Sequence, residues 1–345
     1  MTRVLVTGGS GFIGRHLVSA LAARGDFVRV LDTAPAADLP PGTEYVSGSI
    51  LDQASVLPAL EGIDCVYHLA GIAHLWAADM RDFDKINRAG TESILRAARQ
   101  QKIGQFLHCS SDTVLLPPGR HAGEVDETIS LNLADMPGPY TRSKYLAEQA
   151  ALASSGADMR VVVVNPTIPI GPGDYNFTPP AAMLARYLAG SSFYLDCVMN
   201  IVDVRDVALG MMLAAERGRP GERYILGGEN VSLERILTML ARITGRKRMK
   251  IPVPRALALV AGIASEWVAT HLTHRMPVAT QEGVRLALRS APFDTGKARR
   301  ELAFNPRPAE EALNDAAAWL LSNGGARPKV KQAGASALRG TVKQR

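Results

Sequence analysis

The chain alternates short apolar runs with longer segments whose large side chains recur at helical spacing. Arg3 to Val6 begins the first run, β-branched and apolar, and beyond Gly11 the residues Phe12, Leu17 and Leu21 fall on one helix face. The strand series continues with "FVRVLD" at 27–32, "CVYHLA" at 65–70, "QFLHCSS" at 105–111 and "MRVVVVNP" at 159–166. Periodicity predicts a helix over roughly Arg81 to Lys102 and another from about Pro139. Such alternation predicts an α/β fold, a doubly wound parallel sheet with ligands at the carboxyl ends of the strands. After Pro166 the pattern breaks into "NPTIPIGPGDYNFTPP", and no internal repeat is visible. The expected organisation is a dinucleotide-binding domain over 1–166 and a smaller C-terminal substrate lobe over 167–323, interleaved with late strands of the sheet. A basic disordered tail is expected over 324–345.

Gly8, Gly11 and Gly14 stand at three-residue intervals where the first strand turns into the first helix. A pyrophosphate approaches a helix N-terminus, with its unpaired N–H groups and positive dipole end, where no Cβ stands in the way. One glycine permits the tight turn, the next lets the phosphates close, and the third lets helix pack on strand. Asp32 ends the second strand eighteen positions after Gly14, where a ribose-binding carboxylate is expected. The sheet is therefore expected to be Rossmann-type. Asp32 favours NAD over NADP, because it accepts bonds from ribose hydroxyls and repels a 2′-phosphate, and "LDTAPA" supplies no adjacent arginine.

Composition narrows the classes. With 345 residues and 47% hydrophobic content the chain can bury a large core. Its net charge of +6 comes from the tail, which has six basic residues and no acid and leaves 33 of each sign elsewhere. That distribution argues against nucleic acid as a partner, which calls for basic residues spread over a binding face. The tail reads as solubilising, with weak attraction to an anionic membrane surface as the alternative. Cys65, Cys109 and Cys197 show no paired spacing, so reduced thiols in the cytoplasm are expected. The seven histidines form no cluster that suggests a metal. Neither a secretory signal nor an uninterrupted apolar run of spanning length is expected. The apolar helix predicted at 254–272 reads as core packing, and the sharper reading is a wall for an apolar or lipid-bearing substrate, touching a membrane. A homodimer is compatible with the sequence.

"PYTRSKYLAEQA" places Tyr140 and Lys144 one turn apart on the same helix face. A neighbouring ammonium stabilises a phenolate and lowers a phenol's pKa from about 10. Spacing alone describes an ordinary surface pair. Ser111 adds a third group at the end of "FLHCSS", where its hydroxyl can hold a substrate oxygen while Tyr140 exchanges the proton.

The residues "TGGSGFIG" at 7–14, "HLAG" at 68–71, Asn87 in "NRAGT", "SS" at 110–111, Tyr140-x-x-x-Lys144 and "NP" at 165–166 appear in this order. Together they resemble the extended short-chain dehydrogenase/reductases over about residues 1–320. Within that superfamily "YTRSKYLAEQA", "VVNPTIPIGPGD" and "GERYILGGENVSLERIL" look like the hopanoid-associated sugar epimerase group, related to dihydroflavonol 4-reductases. The resemblance implies a catalytic set of Ser111, Tyr140 and Lys144, with Lys144 also on the nicotinamide ribose. It implies cofactor contacts at Gly8, Gly11, Phe12, Ile13, Gly14, Asp32, Leu69, Ala70, Gly71, Tyr140, Lys144, Asn165 and Pro166. Ser49 stands where many relatives carry an adenine-binding acid, and Met199 where nucleotide-sugar members carry a pyrophosphate-clamping arginine. Asp112 sits where sugar dehydratases begin an acid pair, which Thr113 breaks, and reads as a turn cap.

The expected activity is reversible hydride transfer between NAD and a secondary alcohol or ketone on a mainly apolar small molecule, terpenoid, sterol-like or lipid-linked. An apolar lining around Met199 is expected from Phe193, Tyr194, Leu195, Val198 and Ile201, with Arg205 facing the sheet or solvent. The alternatives are a sugar or nucleotide-sugar epimerase or dehydratase with the same Ser/Tyr/Lys set, and a non-catalytic dinucleotide-binding sensor. A sensor has no use for the acid/base pair.

Overall fold

The computed structural model describes residues 1–323 apart from 36, 37, 120, 122, 247 and 248, so the tail expected over 324–345 lies outside the described residues. The first six strands are β1 (Arg3–Thr7), β2 (Phe27–Asp32), β3 (Glu44–Ser47), β4 (Cys65–His68), β5 (Gln105–Cys109) and β6 (Arg160–Pro166); five follow the sequence pattern, and β3 is added between β2 and β4 in the chain. With a seventh strand, Arg223–Leu226, they form one parallel sheet in the order Arg223–Leu226, β6, β5, β4, β1, β2, β3. Both faces are covered, which is why β1 and β6 are almost continuously apolar. Alternate residues feed opposite cores: Val4 and Val6 pack with Leu17, Leu21 and Met211, while Leu5 packs with Leu31, Ile94 and Phe106. The winding direction reverses between β1 and β4. Thr7 there lies in register with Leu31 on one side and His68 on the other, so a crevice opens at the carboxyl ends.

The segment after β6 adds a small second sheet. Strand Val198–Asp203 lies between Ile168–Ile170 and Glu229–Ser232, with Met199 opposite Val231. Met199, Tyr194 and Leu195 pack onto the apolar cluster of Ile170, Leu184, Ile201 and Ile236. The expected lining therefore divides: Ile201 is buried in that cluster, whereas Phe193 is two-thirds exposed. Arg205 is a third exposed, and its guanidinium pairs with Asp203, at the end of strand Val198–Asp203, at 2.7 Å and with Asp315 at 2.6 Å.

Two helices depart from expectation. The segment predicted at 81–102 opens as a π-helix over Phe83–Ala89 and continues as an α-helix over Gly90–Gln100. In the wide turn Asn87 Oδ1 accepts from Ile72 N at 2.7 Å and Nδ2 donates to Ser143 Oγ at 2.9 Å, tying this helix to the loop after β4 and to the Tyr140 helix. The apolar helix at Arg255–Val268, which runs on to Thr273, is not core packing: an 18-residue window in it has mean hydropathy 1.3 and is 17% buried. By length and composition it is also long enough to cross a membrane, although Ser265 and Glu266 interrupt its apolar run. A few polar residues among its apolar ones hide that length in the linear sequence.

Candidate active site

Gly8 follows β1 with φ of +74°, and a Cβ there would lie 2.7 Å from Ala70 N. A side chain on Gly14 would run into the Gly8 carbonyl oxygen, so this glycine sets the approach of helix Phe12–Ala23 to the turn. Gly9, which sequence reasoning passed over, packs against Val30 as tightly, at 2.7 Å from Cγ1 to the Cβ position. Gly11 is the helix N-cap and no side chain caps it. Phe12 turns its ring inward, edge-on to His16, and Ile13 packs against the core, which leaves backbone N–H groups as what the first turn offers a ligand. Asp32, at the end of β2, accepts from Ser10 N and Ala34 N at 2.9 Å each, one on each carboxylate oxygen. Each oxygen keeps acceptor capacity for a ribose hydroxyl. These residues fit NAD: an uncapped helix start beside glycines that no Cβ can replace, and an oriented carboxylate at the next strand end. Ser49, at the position expected to meet adenine, turns its hydroxyl back to Leu51 N at 3.2 Å.

The wall at the end of β4 is fixed from below. Leu69 N donates to Thr7 O at 3.0 Å and Ala70 N to Thr7 Oγ1 at 3.3 Å. A Cβ on Gly71 would lie 2.8 Å from Asn87 Oδ1. His68 bridges Thr7 Oγ1 at 2.7 Å and Thr91 Oγ1 at 2.9 Å, and burial lowers its pKa to about 3, so it is a neutral structural group.

Ser111 and Tyr140 meet beyond β5. Ser111 caps the 3-10 turn Asp112–Leu115, accepts from Thr113 N at 3.3 Å and from Thr113 Oγ1 at 2.9 Å, and donates to Asp112 Oδ1 at 3.2 Å. The capping role expected of Asp112 thus falls to Ser111. Asp112 is instead a buried carboxyl whose pKa burial raises to about 7, against hydrogen bonds from Ser111 and the Thr113 backbone. The phenol of Tyr140 is buried edge-on to Phe83. Burial raises its pKa, the Ser111 hydrogen bond pulls it down, and Asp112, Cys109 and Glu282 push it up. As arranged, Tyr140 is protonated at neutral pH, the form that donates to a carbonyl oxygen as hydride arrives. Lys144 is close by: its Nζ donates to Cys109 O at 2.7 Å, and burial lowers its pKa.

Asn165 and Pro166 end β6 beneath this group. Asn165 Nδ2 donates to Ser111 O at 3.0 Å and to Glu148 Oε2 at 2.7 Å, and Glu148 in turn pairs with Arg223 at 3.0 Å. The carbonyl of Ser111 and the Tyr140 helix are thereby tied to the two strands at this end of the sheet. Glu282 ties the same helix from the other side. Helix Pro139–Ala153 starts at Gly138, which has no side chain to cap it. Glu282 Oε2 accepts from Tyr140 N at 3.1 Å and Oε1 from Thr141 N at 2.7 Å, and any side chain on Gly138 would collide with this carboxylate. An acid in the first turn of its own helix, Gln281–Leu288, gives no local sign of this role.

The family model described as the NAD dependent epimerase/dehydratase family matches residues 4–227. A putative dihydroflavonol 4-reductase from Synechocystis sp. is 34% identical over 329 residues, 92% of this chain and 94% of that protein. A 4-hydroxy-2-methyl-3-oxo-4-farnesyl-3,4-dihydroquinoline-1-oxide ketoreductase from Stigmatella aurantiaca is 34% identical over 325 residues, 91% and 95% of the two chains. The crystal structure of gox2253 superposes with a TM-score of 0.82 at 32% identity, covering 95% of this chain and 100% of that one.

Glu282→Ala leaves two buried N–H groups unpaired, an expected loss of about 2 kcal/mol in urea unfolding, with partial recovery in Glu282→Gln. Wild-type stability in Glu282→Ala would show that the clamp is idle. Asp112 titrates near 7 when folded and near 3.8 when unfolded. Between these values the native state binds the extra proton, so stability falls as pH rises. Thermal unfolding against pH is expected to show Asp112→Asn gaining on wild type from about pH 4 to about pH 7. A constant difference would place Asp112 in water.

Proposed function

The chain belongs to the NAD-dependent epimerase/dehydratase family of extended short-chain dehydrogenase/reductases, and on that premise we propose an oxidoreductase acting on a secondary alcohol or ketone of a mainly apolar molecule. NAD, bound along the glycine turn with its ribose on Asp32, would supply or accept the hydride. Ser111 holds the reacting oxygen, oriented by Asp112 and Thr113. Tyr140 exchanges the proton at that oxygen. Lys144 would hold the nicotinamide ribose, and its ammonium there would favour the phenolate when the reaction runs toward oxidation.

One observation carries the substrate class. A nucleotide sugar brings a diphosphate of charge about −2 into a partly buried cleft, which is tolerated when guanidinium or ammonium groups pair with it. Where such a guanidinium is expected stands Met199, packed with Tyr194 and Leu195 onto an apolar cluster. Leu75, on the loop after β4, packs onto the apolar cluster of Val114 and Leu115, which follow Ser111, and Trp76 beside it is buried. Hydrocarbon gains roughly 25 cal/mol per Å² on leaving water for such a lining. The ketoreductase similar to this chain is named for a farnesyl-bearing ketone, which supports the reading.

Calorimetric titration in the presence of NAD tests it. Micromolar binding of hydroxysteroids or terpenols, with no heat from UDP- or GDP-sugars, is expected. The reverse result would overturn the substrate class and favour an epimerase that uses the same Ser111, Tyr140 and Lys144.

A further inference from the structure

Helix Arg255–Val268 is built inside out. After Arg255 its large outward residues are Leu257, Val260, Ile263, Trp267 and Val268, with the indole N–H as the one polar group among them. Its two polar side chains after Arg255 turn inward and serve the body. Ser265 Oγ accepts from Val278 N at 3.0 Å, and Glu266 Oε2 from Gln281 N at 2.7 Å. Ala258, Gly262 and Ala269 are buried against the segment that follows, where a Cβ on Gly262 would lie 3.3 Å from Thr280 O. The apolar surface extends past both ends, with Phe193 and Met249 exposed near the start and Leu272 and Val278 near the finish. Leu257 is 58% exposed, Val260 62%, Trp267 54% and Leu272 65%, apolar exposure that water opposes.

The rim of this face is basic. Arg246, Arg255 and Arg275 are exposed and none pairs with a carboxylate among the described residues, and Lys250 lies beside them on Glu234. Glu266 is the sole acid between 245 and 275, and it is engaged inward. We propose that this face docks on the surface of an anionic lipid bilayer, with the helix lying in the headgroup region and the arginines at the phosphates. Trp267 suits that depth, where an indole has one side apolar and one wet. The inner contacts hold the helix to the body, so it lies in the interface and does not span. A second copy fits less well, because a twofold dimer would bring the two basic rims together.

The face adjoins the catalytic elements. Thr270 accepts from Trp76 Nε1 at 3.2 Å, and the helix beneath carries Glu282. Docking there brings the site to the bilayer surface, where apolar molecules reside.

Flotation of the full chain with phosphatidylcholine vesicles, with and without phosphatidylglycerol, tests the proposal. Expected are binding to the anionic vesicles, loss of binding at high salt, and a blue shift in tryptophan emission that Trp267→Phe abolishes. Arg255→Gln and Arg275→Gln are expected to weaken binding about fivefold each. The triple variant Leu257→Ser, Val260→Ser, Leu272→Ser is expected to lose tenfold or more, with NAD binding retained as the sign of an intact fold. The proposal falls if wild type does not float, or if the triple variant binds like wild type and neutralising Lys329, Lys331, Arg339, Lys343 and Arg345 abolishes binding instead. It also falls if wild type sediments as a dimer that the triple variant dissociates.

Discussion

The helix that carries Tyr140 and Lys144 begins with amide groups that its own sequence cannot satisfy, and a carboxylate 142 positions beyond Tyr140 satisfies them. Gly138 leaves room for Glu282, and Glu282 pairs with the backbone of Tyr140 and Thr141 in a buried place where unpaired N–H groups are costly. The position of the Tyr140 phenol is thus set jointly by the strands of the large sheet and by the segment after the second sheet. Asn165, Glu148 and Arg223 fix the other flank of that helix against β6 and its neighbour. Between the two restraints, Ser111 and Tyr140 are held in one buried hydrogen-bonded group.

The electrostatics of that group follow from its dryness. Burial raises both Tyr140 and Asp112, and lowers Lys144, so each member leans toward its neutral form. A neutral phenol beside a serine is prepared to give a proton. Taking one requires a positive charge nearby, and Lys144, resting on the Cys109 carbonyl, is the nearest source. The cofactor site is organised differently, by backbone: glycines without room for a Cβ, an uncapped helix start and a carboxylate already oriented by two amides.

Much of this was legible in the residues. The alternation of strands and helices, the glycine spacing, Asp32 and the Ser111, Tyr140, Lys144 set are local patterns, and the structure places them together at one end of the sheet. Glu282 was not legible, because its partner lies in another element and its own position reads as an ordinary acid at a helix start. The helix at Arg255–Val268 misled for a different reason. Periodicity tells which residues share a face, and it does not tell which face points inward when the polar residues are the ones that bond the body. Asp112 and Lys144 depended on burial and on a backbone carbonyl, neither of which a residue pattern displays.

The central claim is that this site moves a hydride between NAD and a carbinol carbon, with net turnover. Hydroxysteroids and terpenols deuterated at the carbinol carbon, incubated with NAD and the full chain, test it by mass spectrometry of the nicotinamide. The account predicts deuterium accumulating in free NADH, and its loss by about 100-fold in Tyr140→Phe with NAD still bound. Deuterium that never reaches NADH with any carbinol, or that transfers equally well without the Tyr140 hydroxyl, would contradict it.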